Sequence, residues 1–202
     1  MAGVDRRALI LKAATQSFAQ FGYKATTMDL VAKIANVGKG TIYTFFKTKE
    51  DLFDEIVRKA LHELKSVLDL GLHEGDPFFD NLFRVLGALL EFRSDHELFI
   101  KLQQEVRDIG TAKALDGTHR LEGLVLEYLQ RHIESGVAKG EIKPCDPEIV
   151  AYAMLKMYVA LTTDWNKIHA NPLTKAQIQD HLMLFFADGL RSSGEISKPS
   201  TS

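Results

Sequence analysis

Residues 24–49 read KATTMDLVAKIANVGKGTIYTFFKTK, and this stretch decides the fold. Its apolar residues follow the spacing of two short helices that pack across a tight turn. In the second helix, Ile42 pairs with Phe45 and Phe46 at spacings of three and four, so all three are expected to be buried. Asn36 stands at the reversal, because asparagine enters the left-handed region more readily than most residues. The stretch therefore predicts a helix-turn-helix unit.

The polar residues of the second helix collect on the face that the apolar residues leave free. At helical spacing, this face carries Lys39, Gly40, Tyr43, Thr44 and Lys47. Lysine and tyrosine suit phosphate oxygens, while lysine and threonine can also reach base edges. Glycine lets the backbone come near a partner. The face is therefore predicted to bind duplex DNA, and the plainer alternative is a solvated helix surface.

The stretch resembles the DNA-binding domain of the TetR family of bacterial transcriptional regulators, over about the first quarter of the chain. Thr26 or Thr27 can cap the first short helix, and Asp29 in its first turn suits the helix dipole. The match rests on a long set of aromatic, small, branched and charged positions: Phe18, Phe21, Gly22, Tyr23, Thr26, Thr27, Met28, Val31, Ala32, Val37, Gly40, Thr41, Ile42, Tyr43, Phe46, Lys49, Glu50 and Leu52.

This resemblance implies a role for several residues of the unit. Thr27 and Tyr43 would hold phosphates, and Lys49 would contact the DNA backbone at the start of the fourth helix. Gly38 stands where the family commonly has serine, so one capping hydroxyl is missing. The residues implied to face the major groove are Lys39, Thr41 and Thr44.

Helical spacing continues through the rest of the chain, and strand signals are scarce. Gly22 is expected to end the first helix, and Gly110 and Gly117 to bracket a loop. We expect an all-α fold of about nine helices: 5–21, the two short helices above, 49–72, 77–92, 95–108, 118–139, 147–170 and 174–191. A three-helix DNA-binding head would span 1–48, a helical ligand-binding and dimerisation body 49–191, and a polar, disordered tail 192–202.

Charge is spread unevenly along the 202 residues. Residues 1–50 carry eight Lys and Arg against three Asp and Glu, whereas the remainder carries 17 against 24, so a net charge of +5 precedes one of −7. This asymmetry places the nucleic-acid surface at the N-terminal end. A single cysteine, Cys145, the lack of a signal-peptide core and the lack of a membrane-spanning stretch predict a cytoplasmic protein with no membrane partner.

The last two predicted helices are apolar almost all round. They contain IVAYAMLKMYVAL at 149–161, interrupted only by Lys156, and HLMLFFADGL at 181–190. Such helices lie either in the centre of a large core or against a second subunit, and in a chain of this length we favour a dimer. The resemblance implies a homodimer built from these two helices as a four-helix bundle, which suits a palindromic operator.

Aromatic residues and methionine with a few converging polar groups predict a small-molecule cavity in the body, against the alternative of ordinary core packing. The candidate lining residues are Phe92, His96, Phe99, Gln103, Arg107, Tyr128, His132, Tyr152, Met154, Tyr158 and Trp165. An anionic end of the ligand would lie near Arg107 or His96. Since the family commonly works by ligand-induced release, the resemblance implies a repressor released from DNA by an apolar or amphipathic effector. The alternative is a DNA-binding regulator without small-molecule control, whose body is a protein-interaction platform.

Catalytic and metal-binding patterns are not found in the sequence. Gly38, Lys39, Gly40 and Thr41 lack the spacing of a phosphate-binding loop, and no Gly-x-Ser-x-Gly elbow occurs. No two of the seven histidines are four residues apart, and Cys145 cannot complete a thiolate site alone. We therefore expect no enzyme, no cofactor and no metal.

Overall fold

The computed structural model describes residues 5–73 and 75–190, with the backbone alone at residues 94, 95 and 188. The helices are α1 (Arg6–Ala25), α2 (Met28–Ile34), α3 (Lys39–Phe45), α4 (Lys49–Gly71), α5 (Phe78–Asp95), α6 (Glu97–Asp108), α7 (Ala112–Ala138), α8 (Pro147–Val159), α9 (Trp165–Ile168) and α10 (Lys175–Leu190). A π-helical turn, Ala160–Asp164, joins α8 to α9 in one rod. Counted in this way, the described chain has nine helical rods, as predicted.

The helix-turn-helix unit buries one side of α2 and α3. Its buried apolar residues are Met28, Val31, Ala32 and Ile42. These pack into the same core as residues of α1 and the first half of α4, namely Ile10, Ala14, Phe18, Tyr23, Leu52, Phe53 and Val57. Burial of this kind stabilises short helices that would not form in isolation.

Capping groups and one left-handed residue define the ends of the two short helices. Of the two candidate caps, Thr27 holds α2, since its hydroxyl accepts a hydrogen bond from the Leu30 amide at 3.2 Å, while Thr26 is buried. Asn36 has a φ of 52°, so the reversal uses the left-handed region as predicted. Gly38 precedes α3 without a side-chain hydrogen bond.

Phe45 lies outside the core, so the expectation that it is buried is wrong. It is 43% exposed, whereas Phe46 is 5% exposed and packs inside. Both residues stand at helical spacing from Ile42, but the backbone leaves the helical region at Phe46. Helical periodicity therefore stops predicting direction at that residue. Leu9 and Phe21 of α1 are exposed as well.

α7 begins earlier than predicted, because Gly110 and Gly117 do not bracket a loop. Gly110 has a φ of +71° and lies before the helix, while Gly117 lies within it. A Cβ atom on Gly117 would be 3.0 Å from Cζ of Phe53. Glycine lowers helix propensity, but here it allows the Phe53 ring to contact the α7 backbone.

The described chain divides into two compact units. The first consists of residues 5–66 and 92–121, and the second of residues 67–73, 75–91 and 122–190. The predicted boundary at residue 48 does not coincide with a boundary between these units, and it stays a prediction. The predicted tail at 192–202 lies outside the described residues.

Candidate nucleic-acid interface

The face predicted to bind DNA is exposed along α3. Ile42 is buried, and Thr41 is half-buried beside it. Besides Phe45, the exposed residues are those expected from helical spacing: Lys39, Gly40, Tyr43, Thr44 and Lys47. One cation, a phenol and a hydroxyl thus accompany a glycine on the solvent side of α3, and the second cation, Lys47, follows just after the helix.

Lys39 forms an ion pair with Asp29 of α2. The Lys39 Nζ to Asp29 Oδ2 distance is 2.8 Å, and the two side chains are 67% and 62% exposed. The hydrogen bond to Asp29 and its negative charge raise the pKa of Lys39. The sequence indicated Asp29 only as a favourable residue in the first turn of α2, and did not predict this pairing.

The hydroxyls of Thr27 and Thr44 offer different chemistry to a partner. Because Thr27 Oγ1 accepts from the Leu30 amide, its proton remains available to donate to a phosphate oxygen. Thr44 Oγ1 lies 2.7 Å from the carbonyl of Thr41 and 3.2 Å from that of Gly40, so its proton is engaged within the helix. Thr44 therefore presents acceptor lone pairs and a methyl group.

Lys47 and Lys49 lie beyond the C-terminal end of α3. Lys47 Nζ donates to the carbonyl of Tyr43 at 3.4 Å. Lys49 Nζ donates to the carbonyl of Tyr23 at 2.9 Å and lies 4.2 Å from the centre of the Tyr23 ring. An ammonium group has three donors, so Lys49 retains two for a phosphate.

Five of the predicted pocket residues lie in the first unit: Phe92, His96, Phe99, Gln103 and Arg107. The His96 ring stacks on Phe92 and lies beside Phe99, at centroid distances of 4.0 and 5.7 Å. Its Nε2 lies 3.0 Å from Glu63 Oε2, and its Nδ1 lies 2.7 Å from the Phe92 carbonyl. His96 and Phe99 border an open cleft of about 620 Å³. Gln103 is half-buried, and Arg107 is exposed.

The other predicted pocket residues lie in the second unit: Tyr128, His132, Tyr152, Met154, Tyr158 and Trp165. Tyr128 and His132 line a cleft of about 340 Å³ together with Phe78. The Tyr128 hydroxyl donates to the Leu68 carbonyl at 2.8 Å. Met154 and Tyr158 are buried, Trp165 stacks on a neighbouring histidine, and Tyr152 is exposed. Two of the predicted residues therefore border the cleft of the first unit and two border the cleft of the second, while the others border neither of these clefts.

His132 provides a pH-dependent contribution to stability. Burial lowers the pKa of His132, although its hydrogen bond to the Phe78 carbonyl acts in the opposite direction. The unfolded chain, with a histidine pKa of about 6.5, then binds more protons than the folded chain just below that pH. His132 therefore leaves the free energy of unfolding unaffected above about pH 6.5, and lowers it as the pH drops towards the lowered pKa.

We predict that the denaturation midpoint of the wild type falls between roughly pH 7 and pH 5.5 by more than that of His132→Gln. Urea titrations at fixed protein concentration measure this difference. His119→Gln, which removes an exposed histidine, is the matched control and should follow the wild type. Equal pH dependence in wild type and His132→Gln would contradict the assignment.

α8 and α10 pack against each other and still expose large apolar side chains. Among the exposed ones are Ile149, Tyr152, Met183, Leu184 and Phe185, and Leu184 is 58% exposed. Lys156, the one charge in the apolar run of α8, pairs with Glu122 at 2.9 Å. An apolar surface concentrated on two contacting helices is typical of an interaction site.

Comparison with known proteins identifies the family. Residues 10–56 match the sequence profile of the bacterial regulatory proteins of the tetR family. Over 190 residues the chain is 53% identical to the uncharacterized HTH-type transcriptional regulator YhgD of Bacillus subtilis (strain 168), covering 94% of this chain and 99% of that protein. The chain belongs to the TetR family. As a TetR-family protein, it is a DNA-binding helix-turn-helix transcriptional regulator, and the helix-turn-helix unit described above is its DNA-binding element.

Solved structures share the TetR-family fold along most of the chain. The complex of SmeT with triclosan matches with a TM-score of 0.75 and 14% identity, covering 98% of this chain and 99% of that one. A transcriptional regulator of Saccharomonospora viridis in complex with choline matches with a TM-score of 0.75 and 18% identity, covering 93% and 97%. At these identities, the likeness establishes the fold.

The described residues contain neither a membrane-spanning helix nor a cluster of metal-binding side chains. None of the helices within 5–73 and 75–190 has both the length and the hydropathy needed to cross a membrane. In the same part of the chain, no three His, Cys, Asp or Glu side chains gather in a way that would hold a metal ion.

Proposed function

We propose that this TetR-family regulator is a homodimeric repressor that binds a palindromic operator through α3 and is released by a small apolar or amphipathic ligand. The observation that carries the proposal is the exposed side of α3, where Lys39 and Tyr43 stand opposite the buried Ile42. The N-terminal charge of +5 supports the same surface, because cationic residues that neutralise phosphates supply much of the affinity for DNA.

The residues that we propose to contact DNA are Thr27, Lys39, Gly40, Thr41, Tyr43, Thr44, Lys47 and Lys49. Within this set, Tyr43 and Lys39 are assigned different tasks. The phenol of Tyr43 binds phosphate, which carries no sequence information. The ammonium group of Lys39, oriented by Asp29, faces base edges in the major groove.

We predict that Tyr43→Phe weakens binding to operator and to unrelated duplex by a similar factor, whereas Lys39→Ala also reduces the preference for operator. Loss of one good base contact lowers discrimination by about 1–3 kcal/mol. Fluorescence anisotropy with both duplexes at one fixed salt concentration measures the two affinities. Lys65→Ala, which removes an exposed lysine outside the head, is the control. Unchanged affinity in both head variants would contradict the assignment.

The exposed apolar residues of α8 and α10 support the dimer. A second copy can cover this surface by a two-fold axis, which makes the interface self-complementary. Such a dimer presents two α3 helices to successive major grooves, about 34–36 Å apart or at a longer distance set by the body. Two linked contacts also raise affinity well beyond that of one head.

The clefts support ligand control. The proposed effector site is the cleft of about 340 Å³ beside Tyr128 and His132, which has the size of small-molecule pockets. The triclosan and choline complexes support this proposal, since both are bound by proteins of the same fold. A ligand that favours one conformation of the body would change operator affinity by roughly 5–150-fold.

A thermal-shift screen of lipid-like, aromatic and cationic compounds tests ligand control. A hit should stabilise the wild type and weaken its operator binding, and Tyr128→Phe or His132→Gln should reduce both effects. His96→Gln, at the cleft of the first unit, distinguishes the two sites. If no compound or metabolite extract changes operator affinity and a protein co-purifies with the chain, the interaction-platform alternative replaces this part of the proposal.

A further inference from the structure

Glu105 of α6 has an unusual environment for a carboxylate, since it is only 5% exposed. It accepts hydrogen bonds from the amide of Tyr23 at 2.5 Å and from the amide of Lys24 at 3.1 Å. The hydroxyl of Thr111 donates to it at 2.6 Å. Burying a carboxylate costs free energy unless it is hydrogen-bonded, so this group is held in place by the backbone of α1, from which it is more than 80 residues distant in sequence.

The hydrogen bonds fall where α1 is interrupted. Gly22 has a φ of +81° and leaves the helical geometry inside α1. A Cβ atom on Gly22 would overlap Glu105 Oε2, so the glycine and the carboxylate fit each other. The interruption frees the amides of Tyr23 and Lys24 from regular helical pairing, and Glu105 satisfies them in its place.

Tyr23 connects this point to a proposed DNA contact. Its amide is held by Glu105, and its carbonyl accepts from Lys49 Nζ at 2.9 Å. Its hydroxyl donates to Glu50 Oε1 at 2.6 Å. Burial and that hydrogen bond raise the pKa of Tyr23, so the phenol remains a donor. The side chain and peptide of Tyr23 therefore fix the first turn of α4, where Lys49 lies.

We propose that Glu105 is a positioning residue for DNA binding: through Tyr23, its carboxylate holds the ammonium group of Lys49 where it contacts a phosphate. This inference rests on the proposed function, and specifically on the role of Lys49. Glu105 does not itself touch DNA. The carboxylate of Glu105 affects DNA affinity through Lys49 alone. A variant of Glu105 can therefore be distinguished from one that only destabilises the fold.

The test is operator affinity as a function of salt concentration, for wild type, Glu105→Gln, Lys49→Ala and the double variant. Glutamine keeps the size of the side chain but presents an NH₂ group to amide donors. We expect Glu105→Gln to weaken binding roughly tenfold near 0.1 M salt and to flatten the slope of log affinity against log salt by about one per subunit. In the Lys49→Ala background it should cause little further loss, because the phosphate contact is already absent.

Controls separate positioning from stability. Glu97→Gln makes the same change at an exposed position of α6 and should leave affinity and slope unchanged. A titration of each variant against operator at a concentration far above the dissociation constant measures the fraction of protein that can bind, and the affinities are corrected for this fraction. If Glu105→Gln does not fold, Thr111→Val removes only the hydroxyl donor and should shift affinity and slope in the same direction by a smaller amount.

The outcomes are distinguishable. Wild-type slope and affinity in Glu105→Gln would overturn the inference, as would a loss that adds in full to that of Lys49→Ala. If Glu105→Gln is unfolded, wild-type behaviour in Thr111→Val would overturn it instead. Failure of the wild type itself to bind any duplex would refute the proposed function, and the role of Glu105 would fall with it.

Discussion

Leu184→Glu should convert the protein from a dimer to a monomer and lower operator affinity by roughly 100-fold or more, since binding through two linked heads is lost. Leu184 is 58% exposed on α10. In a two-fold interface, one substitution places two carboxylates at the contact, and burying unpaired charges is costly. Sedimentation velocity gives the oligomeric state, and anisotropy gives the affinity.

Leu70→Glu is the matched control for this prediction. Leu70 is 77% exposed on α4 and lies outside the proposed interface, so the same chemical change there should leave the dimer intact. Both variants should retain the helical circular dichroism of the wild type. A Leu184→Glu protein that remains dimeric at micromolar concentration and binds operator normally would show that α10 is not the interface.

Phe53→Ala should lower the free energy of unfolding by about 3–5 kcal/mol, the range for truncating a buried aromatic side chain. The Phe53 side chain is fully buried, and its ring meets Phe18 and Tyr23 edge-on at centroid distances of 5.4 and 4.9 Å. It also contacts the backbone at Gly117. Truncation therefore leaves a cavity where α1, α4 and α7 meet.

Urea denaturation followed by circular dichroism, at one protein concentration, measures the effect of Phe53→Ala. Phe45→Ala deletes the same atoms at an exposed position and should cost far less, about 1 kcal/mol or below. Similar costs for the two variants would contradict the burial assigned to them. The comparison also tests the finding that Phe46, and not Phe45, belongs to the core.

Local signals in the sequence were sufficient for the helix-turn-helix unit. Thr27, Asn36 and Ile42 each act within a few residues of their own position, as a cap, a left-handed turn and a helical contact. Spacing could not decide whether Phe45 or Phe46 is buried, because residues three and four positions after Ile42 both lie on its side of a helix. Only the end of the helix, which depends on the packed structure, places one inside and the other outside.

Contacts between residues far apart along the chain could not be predicted from the sequence. Gly117 indicated a loop, because glycine lowers helix propensity and this local effect is visible in the sequence. Its packing against Phe53, which is 64 residues away along the chain, is not visible there. Glu105 gave no signal, since the backbone amides that donate to it are in α1. The predicted pocket residues shared suitable chemistry, yet four of them border two different clefts in different units and the others border neither of these clefts. Helical spacing carries no information on which helices meet.

An operator titration shows whether the exposed side of α3 binds duplex DNA. The measurement is the anisotropy of a labelled duplex from the protein's own upstream region, titrated at several salt concentrations with wild type and with the Lys39→Ala, Tyr43→Ala double variant. We predict tight wild-type binding that weakens steeply with salt, and a double variant with much lower affinity and a shallower salt dependence. Identical curves for the two proteins, or no wild-type binding at low salt, would show that this side of α3 is not the DNA-binding surface.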